Sequence, residues 1–141
     1  MNTRELMVKA ARAVASARLL LDAGDVEGAC NRAYYAMFDA AKAALLWSGA
    51  TIKSNMVKTH SGLISEFSLH LIKTGRLPIK LGRILNRVSE IRLVADYTGG
   101  EVALEKAQWA VEQAALFVYA VRQEFAPQES HENTGHDPKP D

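Results

Sequence analysis

The sequence predicts an all-α protein, a compact antiparallel bundle of about five helices. Three observations carry that prediction. Apolar residues recur at spacings of three and four through most of the 141-residue chain. No segment alternates with period two over a useful length. Short connections marked by Gly24, Asp25, Gly49, Gly75 and Pro78 separate the periodic stretches and favour antiparallel neighbours.

The first helix spans residues 3–23, with Leu6, Ala10, Ala13, Ala17 and Leu20 or Leu21 on one face. Gly24 stops it, having no side chain to oppose a left-handed C-cap. Asp25 can cap the next helix through its carboxylate. That helix, 26–48, carries an alanine-rich stripe (Val26, Ala29, Ala33, Met37, Ala40, Ala44 and Leu45) that permits close packing. A second, polar stripe of Arg32, Tyr35, Asp39 and Lys42 runs at the same spacing, and Tyr34 falls nearer the apolar side. Residues 49–57 form a loop with Lys53, and Lys58 follows. Thr59 is the expected N-cap of a third helix, 60–74, whose inner face is Leu63, Ile64, Phe67, Leu71 and Ile72. Gly75 ends it, and Pro78 suits the start of a fourth helix over 79–97, which turns Leu81, Ile84, Leu85, Val88, Ile91 and Ala95 inward. Gly99 and Gly100 break the pattern before a fifth helix, 101–125.

The domain therefore covers residues 3–125. Residues 126–141 lack apolar periodicity and hold three of the four prolines, so a disordered C-terminal tail is expected there. His131 and His136 lie in that tail without a structured partner set, and no metal site is assigned to them.

Hydrophobic residues make up 48% and charged residues 23% of the chain, as in ordinary globular domains. A net charge of +1 gives no general attraction to nucleic acid, so any basic patch must be local. The single cysteine, Cys30, excludes an internal disulfide and reads as a small buried residue. No leader-like stretch or run of membrane-spanning length is present, so a cytoplasmic protein with no membrane association is expected. Glycine-rich phosphate loops, HExxH, paired-cysteine and GxSxG patterns are all missing, which removes the common enzyme classes that use them. No cofactor is expected.

Three constellations remain. In "NRAYYAMFDAAKAAL", residues 31–45, Arg32 and Tyr35 share a helix face, and Asp39 and Lys42 continue it. In "KTHSGLISEF", residues 58–67, His60 sits in a first helical turn beside Lys58. The helix N-terminus favours neutral imidazole, which can accept a proton as a general base. In "EIRLVADYTGG", residues 90–100, Arg92 and Asp96 are spaced to pair along the helix. An arginine held by an acid can recognise phosphate, and Tyr97 offers a phenolic hydroxyl. Spacing alone fits equally well a solvated face of ion pairs, a capping histidine and a pair that fixes a helix end. His70 reads as a surface or interface residue.

Together, "RAYYAMFDAAKAAL", "KTHSGLISEF" and "EIRLVADY" resemble the HEPN domain superfamily, in particular its small stand-alone prokaryotic branch. The resemblance covers residues 3 to about 125 and implies a bundle of four to five helices that is usually a homodimer. It also implies a neighbouring minimal nucleotidyltransferase as partner in a toxin–antitoxin-like module. Many members are metal-independent ribonucleases whose signature is an arginine, four to six residues, and a histidine. Some are instead modified with AMP on a tyrosine. Arg92 matches the arginine, but Tyr97 occupies the histidine slot, and no histidine occurs between residues 71 and 130.

The resemblance leaves two forms open: binding without cleavage, or a base supplied by His60 from another helix. The expected site is Arg92, His60, Asp96 and Tyr97 as the reactive group, with Arg32, Tyr35, Lys58 and Arg92 binding a nucleotide or RNA. A non-catalytic nucleotide-binding and dimerisation partner of the nucleotidyltransferase is the alternative. Trp47, Trp109, Phe117 and Tyr119 offer more apolar surface than five short helices need, which also favours an oligomer.

Overall fold

The computed structural model describes residues 2–51, 58–97 and 101–136. It contains five α-helices: α1 (Thr3–Asp22), α2 (Val26–Ser48), α3 (His60–Phe67), α4 (Ile79–Tyr97) and α5 (Leu104–His136). There is no strand among the described residues. The all-α prediction holds.

Local chemistry sets most boundaries. Asn2 opens α1 with a capping box, its side chain accepting from the Glu5 N–H at 2.8 Å while Glu5 accepts from the Asn2 N–H at 3.0 Å. The α1–α2 turn is a Schellman motif. The Asp25 N–H reaches Leu20 O at 2.9 Å and the Gly24 N–H reaches Leu21 O at 3.1 Å, with Gly24 at φ 87°. Asp25 then accepts from the Gly28 N–H at 2.9 Å and caps α2. The Thr59 hydroxyl accepts from the Gly62 N–H at 3.0 Å and fixes the start of α3, so His60 is the first helical residue.

The third helical stretch is not uniform. After Phe67 it continues as one π-helical turn, Ser68–Ile72, marked by a bond of 2.8 Å from the Lys73 N–H to Ser68 O. The chain then reverses at Gly75, φ 77°. The Leu77 N–H closes the reversal on Leu71 O at 2.9 Å, which leads into α4.

α2 is the central helix and packs against every other one. Its inward residues are mostly alanines, including Ala29, Ala33, Ala36, Ala40, Ala41, Ala43 and Ala44, all fully buried. Such small side chains allow short interaxial distances. Larger groups fill the space around them: Tyr34, Met37, Phe67, Leu85, Val88 and Phe117. A smaller cluster of Cys30, Ile91, Val102 and Ala107 ties the start of α2 to α4 and α5.

The fifth helix differs from the sequence expectation at both ends. It begins at Leu104 and runs on to His136, through much of the segment expected to be a disordered tail. Adding residues to a formed helix carries no new nucleation cost, so apolar periodicity is not required there, although Pro127 within this stretch has no N–H to donate. Residues 137–141, the loop lysine Lys53, and the break at Gly99 and Gly100 lie outside the described residues. Among the described residues no helix is long and apolar enough to cross a membrane.

Candidate anion site at the junction of α2, α3 and α4

The N-terminal half of α2, the first residue of α3 and the last turns of α4 meet at one edge of the bundle. Arg92 lies at the centre and is only 6% exposed, the one charged residue among the buried described residues. Burying a guanidinium is costly unless its charge and donors are matched. Here Nη1 donates to His60 Nδ1 at 2.9 Å. Nε lies 3.1 Å from Asp96 Oδ2. The guanidinium carbon sits 5.1 Å from the Tyr34 ring centre and 5.7 Å from that of Tyr35, so two aromatic faces line the cation.

Helix α2 supplies the rest of the wall. Asn31 Nδ2 donates to the same Asp96 Oδ2 at 3.2 Å, linking α2 to the end of α4. His60 is packed among three rings, with centroids 5.1 Å from Tyr34, 5.7 Å from Tyr35 and 5.0 Å from Phe38. On the outer side, Arg32 lies 5.5 Å over Tyr35 and Lys42 Nζ 6.0 Å over Phe38. Asp39 is half-buried on the same face, among Lys9, Lys42 and Arg32.

The electrostatics follow from burial and from Arg92. Burial lowers the pKa of His60 and the adjacent guanidinium lowers it further, so the imidazole stays neutral at neutral pH. Burial pushes the Tyr34 phenol up to about 12 despite the pull of Arg92. Its hydroxyl is fully buried without a hydrogen-bond partner among the described residues, and Ser89 nearby lowers the pKa only slightly against burial. Burial raises Asp39 against the lowering effect of the three cations around it.

The Arg92–His60 contact decides which tautomer of His60 is present. Arginine has only donors, so Nδ1 must carry the lone pair and Nε2 the proton. A neutral imidazole held this way offers an N–H at Nε2, not a basic nitrogen. The general-base role expected from sequence therefore does not match this arrangement, which instead presents a hydrogen-bond donor backed by a buried cation.

Of the residues expected from sequence, the structure brings together Arg92, His60, Asp96, Tyr35 and Arg32. Lys58 is exposed, and no described contact ties it to Arg92 or His60. Tyr97 is the last residue of α4, and its side chain lies outside the described residues. Asn31, Tyr34 and Phe38 were not anticipated as parts of the site. Asn31 and Phe38 bracket Arg32 and Tyr35 on α2 at helical spacing, and that was the only signal available for them. His70 pairs with Glu66 at 3.3 Å away from the cluster. Among the described residues no group of three metal-ligating side chains is present. A depression of about 330 Å³ elsewhere, lined by Arg87, Glu90, Val94, Glu101 and Lys106 among others, contains no residue of the cluster.

Comparison with known proteins places the chain in a family. A UPF0332 protein of Gloeobacter violaceus is 36% identical over 127 residues, covering 89% of this chain and 96% of that protein. A protein of Methanocaldococcus jannaschii named "Putative toxin" is 32% identical over 109 residues, 77% of this chain and 78% of its own length. A UPF0332 protein of Thermotoga maritima is 33% identical over 102 residues, 69% of this chain and 74% of that protein. The model of the HEPN domain matches residues 3–124, and the chain belongs to the HEPN domain family.

Proposed function

We propose that this chain is the HEPN component of a toxin–antitoxin-like module and binds the phosphate of a nucleotide or RNA at the Arg92 cluster. The observation that carries the reading is the buried Arg92 guanidinium, braced by Asp96 and by two tyrosine faces and joined to His60. A cation held at that cost projects a strong field at low dielectric. His60 Nε2–H is the donor left after Nδ1 accepts from Arg92, and Arg32 and Lys42 add positive charge over the Tyr35 and Phe38 rings that pack on it. Membership of the family and the similarity to an archaeal protein named "Putative toxin" support the module. A minimal nucleotidyltransferase is the proposed partner, Tyr97 the proposed acceptor of AMP, and a homodimer the proposed working form.

Metal-independent RNA cleavage is a second reading, favoured by one contact. The family signature places the histidine four to six residues beyond the arginine. Here His60 on α3 reaches Arg92 on α4, 32 residues away in the chain, and so restores an arginine–histidine pair in space. The tautomer weighs against this form, because a base at Nε2 would require the proton to move to Nδ1, facing a cation.

Binding of a fluorescent RNA oligonucleotide and of AMP, measured in the presence of chelator, tests both readings. Arg92→Ala and Arg32→Ala should each weaken binding, Arg92→Ala by about tenfold or more. Unchanged affinity in both variants sinks the binding site. Cleavage that persists in Arg92→Ala and in His60→Ala rules out the nuclease form. Mass spectrometry after co-expression with the neighbouring nucleotidyltransferase should show one adenylyl group on Tyr97.

A further inference from the structure

A different face of the molecule is built for a different kind of contact. Helices α1 and α5 lie side by side and leave a groove of about 230 Å³. Ala11, Ala115 and Val118 line it, while Arg18, Tyr119 and Arg122 stand along it. Tyr119 is 61% exposed, and the same two helices carry Leu19 at 70%, Val8 at 49% and Leu116 at 49%. Val8, Leu19 and Leu116 do not line the groove, and other elements expose Leu46, Ile79, Leu93 and Val94 as well, so Tyr119 is the large exposed side chain of the groove itself.

The charges beside the groove are all of one sign. Arg76, Arg87 and Arg92 each lie close to a carboxylate, at 3.7, 3.3 and 3.1 Å. Arg18 and Arg122 are exposed, and neither forms an ion pair with a described carboxylate. Among the described residues no carboxylate lines the groove. Two rigid forks thus remain available for bidentate recognition beside an apolar floor of small residues.

We infer that the α1–α5 groove docks an amphipathic helix of a partner protein, with carboxylates flanking its apolar stripe. Two parallel ridges with alanine between them accept a third helix at short distance. Tyrosine and arginine are the residue types that anchor such contacts. A second copy presenting the same face is disfavoured, since a two-fold contact would bring Arg18 and Arg122 toward their own like charges. Nucleic acid is disfavoured because the apolar floor of Ala11, Val14, Ala115 and Val118 would meet a phosphate backbone. This groove contains none of the Arg92 cluster, so the inference stands independently of the function proposed above.

The test uses the full chain, isotopically labelled, and a synthetic helical peptide of about three turns with a leucine stripe flanked by glutamates. Backbone NMR shifts should move at Ala11, Arg18, Ala115, Tyr119 and Arg122. Affinity should fall about tenfold or more in Arg18→Glu/Arg122→Glu, and also with added salt. Circular dichroism checks that these surface variants fold, and Arg18→Gln/Arg122→Gln with the salt series serves if they do not. Equal binding of a glutamine-for-glutamate peptide overturns the inference, as does the absence of titrating shifts. Loss of RNA binding in Arg18→Glu/Arg122→Glu would reassign the face to nucleic acid, and a changed sedimentation mass in the same variant would reassign it to a second copy. Either result also overturns the inference.

Discussion

His60 and Arg92 form a contact whose pH dependence has a definite sign. The folded protein holds the His60 pKa below its ordinary value of 6.5, by burial and by the guanidinium 2.9 Å away. The unfolded chain therefore binds the proton more readily than the folded one. The stability contributed by this group is complete above about pH 6.5, falls as pH drops toward the folded pKa, and is constant below it. In His60→Gln, an amide oxygen can still accept from Arg92 but does not titrate. Urea midpoints followed from about pH 7.5 down to about pH 5 should fall more steeply for the wild type than for this variant. Parallel curves would mean that His60 is not held by Arg92 in solution. The same contact predicts the tautomer: nitrogen shifts of the imidazole should show the proton on Nε2 and a lone pair on Nδ1 at neutral pH. Residue types and spacing made Arg92 and Asp96 legible as a pair, because four residues on a helix bring side chains together. Nothing local could reveal that Nδ1 of His60 is occupied, since that follows from the packing of α3 against α4.

Elements position the site through their ends. α3 starts at His60 because the Thr59 hydroxyl satisfies the Gly62 N–H at 3.0 Å, and that start sets the direction in which the imidazole leaves the backbone. Thr59→Ala should cost about 1 kcal/mol, and Thr59→Ser should recover most of it. Denaturant titration measures the cost, and loss of RNA affinity alongside it would show that the cap serves the site as well as the fold. An unchanged midpoint for Thr59→Ala would show that the cap carries no weight. Caps of this kind were readable in the sequence, as were Asp25 and the glycine stops, because each rests on one residue's chemistry. The π-helical turn at Ser68–Ile72 was not. It inserts no unusual residue, and the regular spacing of Phe67 and Leu71 reads as plain α-helix. The bounds of α5, Leu104–His136, could not be read from apolar spacing either, because helix propagation needs no apolar stripe to announce it.

At the scale of the whole molecule, the surplus apolar surface is smaller than the sequence implied, and it is differently placed. Phe117 is fully buried, and Trp47 stacks on Phe125 at 5.8 Å between ring centres. Phe117 therefore cannot hold a second subunit, and Trp47 keeps only part of its surface for one. Trp109 at 36% and Tyr119 at 61% remain exposed, and α4 adds Leu93 and Val94, each 44% exposed, in the same two turns as Arg92 and Asp96. These two aliphatic residues follow Arg92 in the chain but point to solvent from other sides of α4, Val94 beside Arg87 and Lys106. A two-fold contact through the end of α4 would cover this apolar surface and bring two copies of that helix end near one another. Charging that edge discriminates the cases. Leu93→Glu/Val94→Glu should leave the helical content unchanged, since both side chains face outward, and should convert a dimer to a monomer in sedimentation. RNA affinity should fall with it, although Arg92, His60 and Asp96 are untouched. A double variant that stays dimeric would move the subunit contact away from α4. A monomeric one with full affinity would show that each chain carries a complete site.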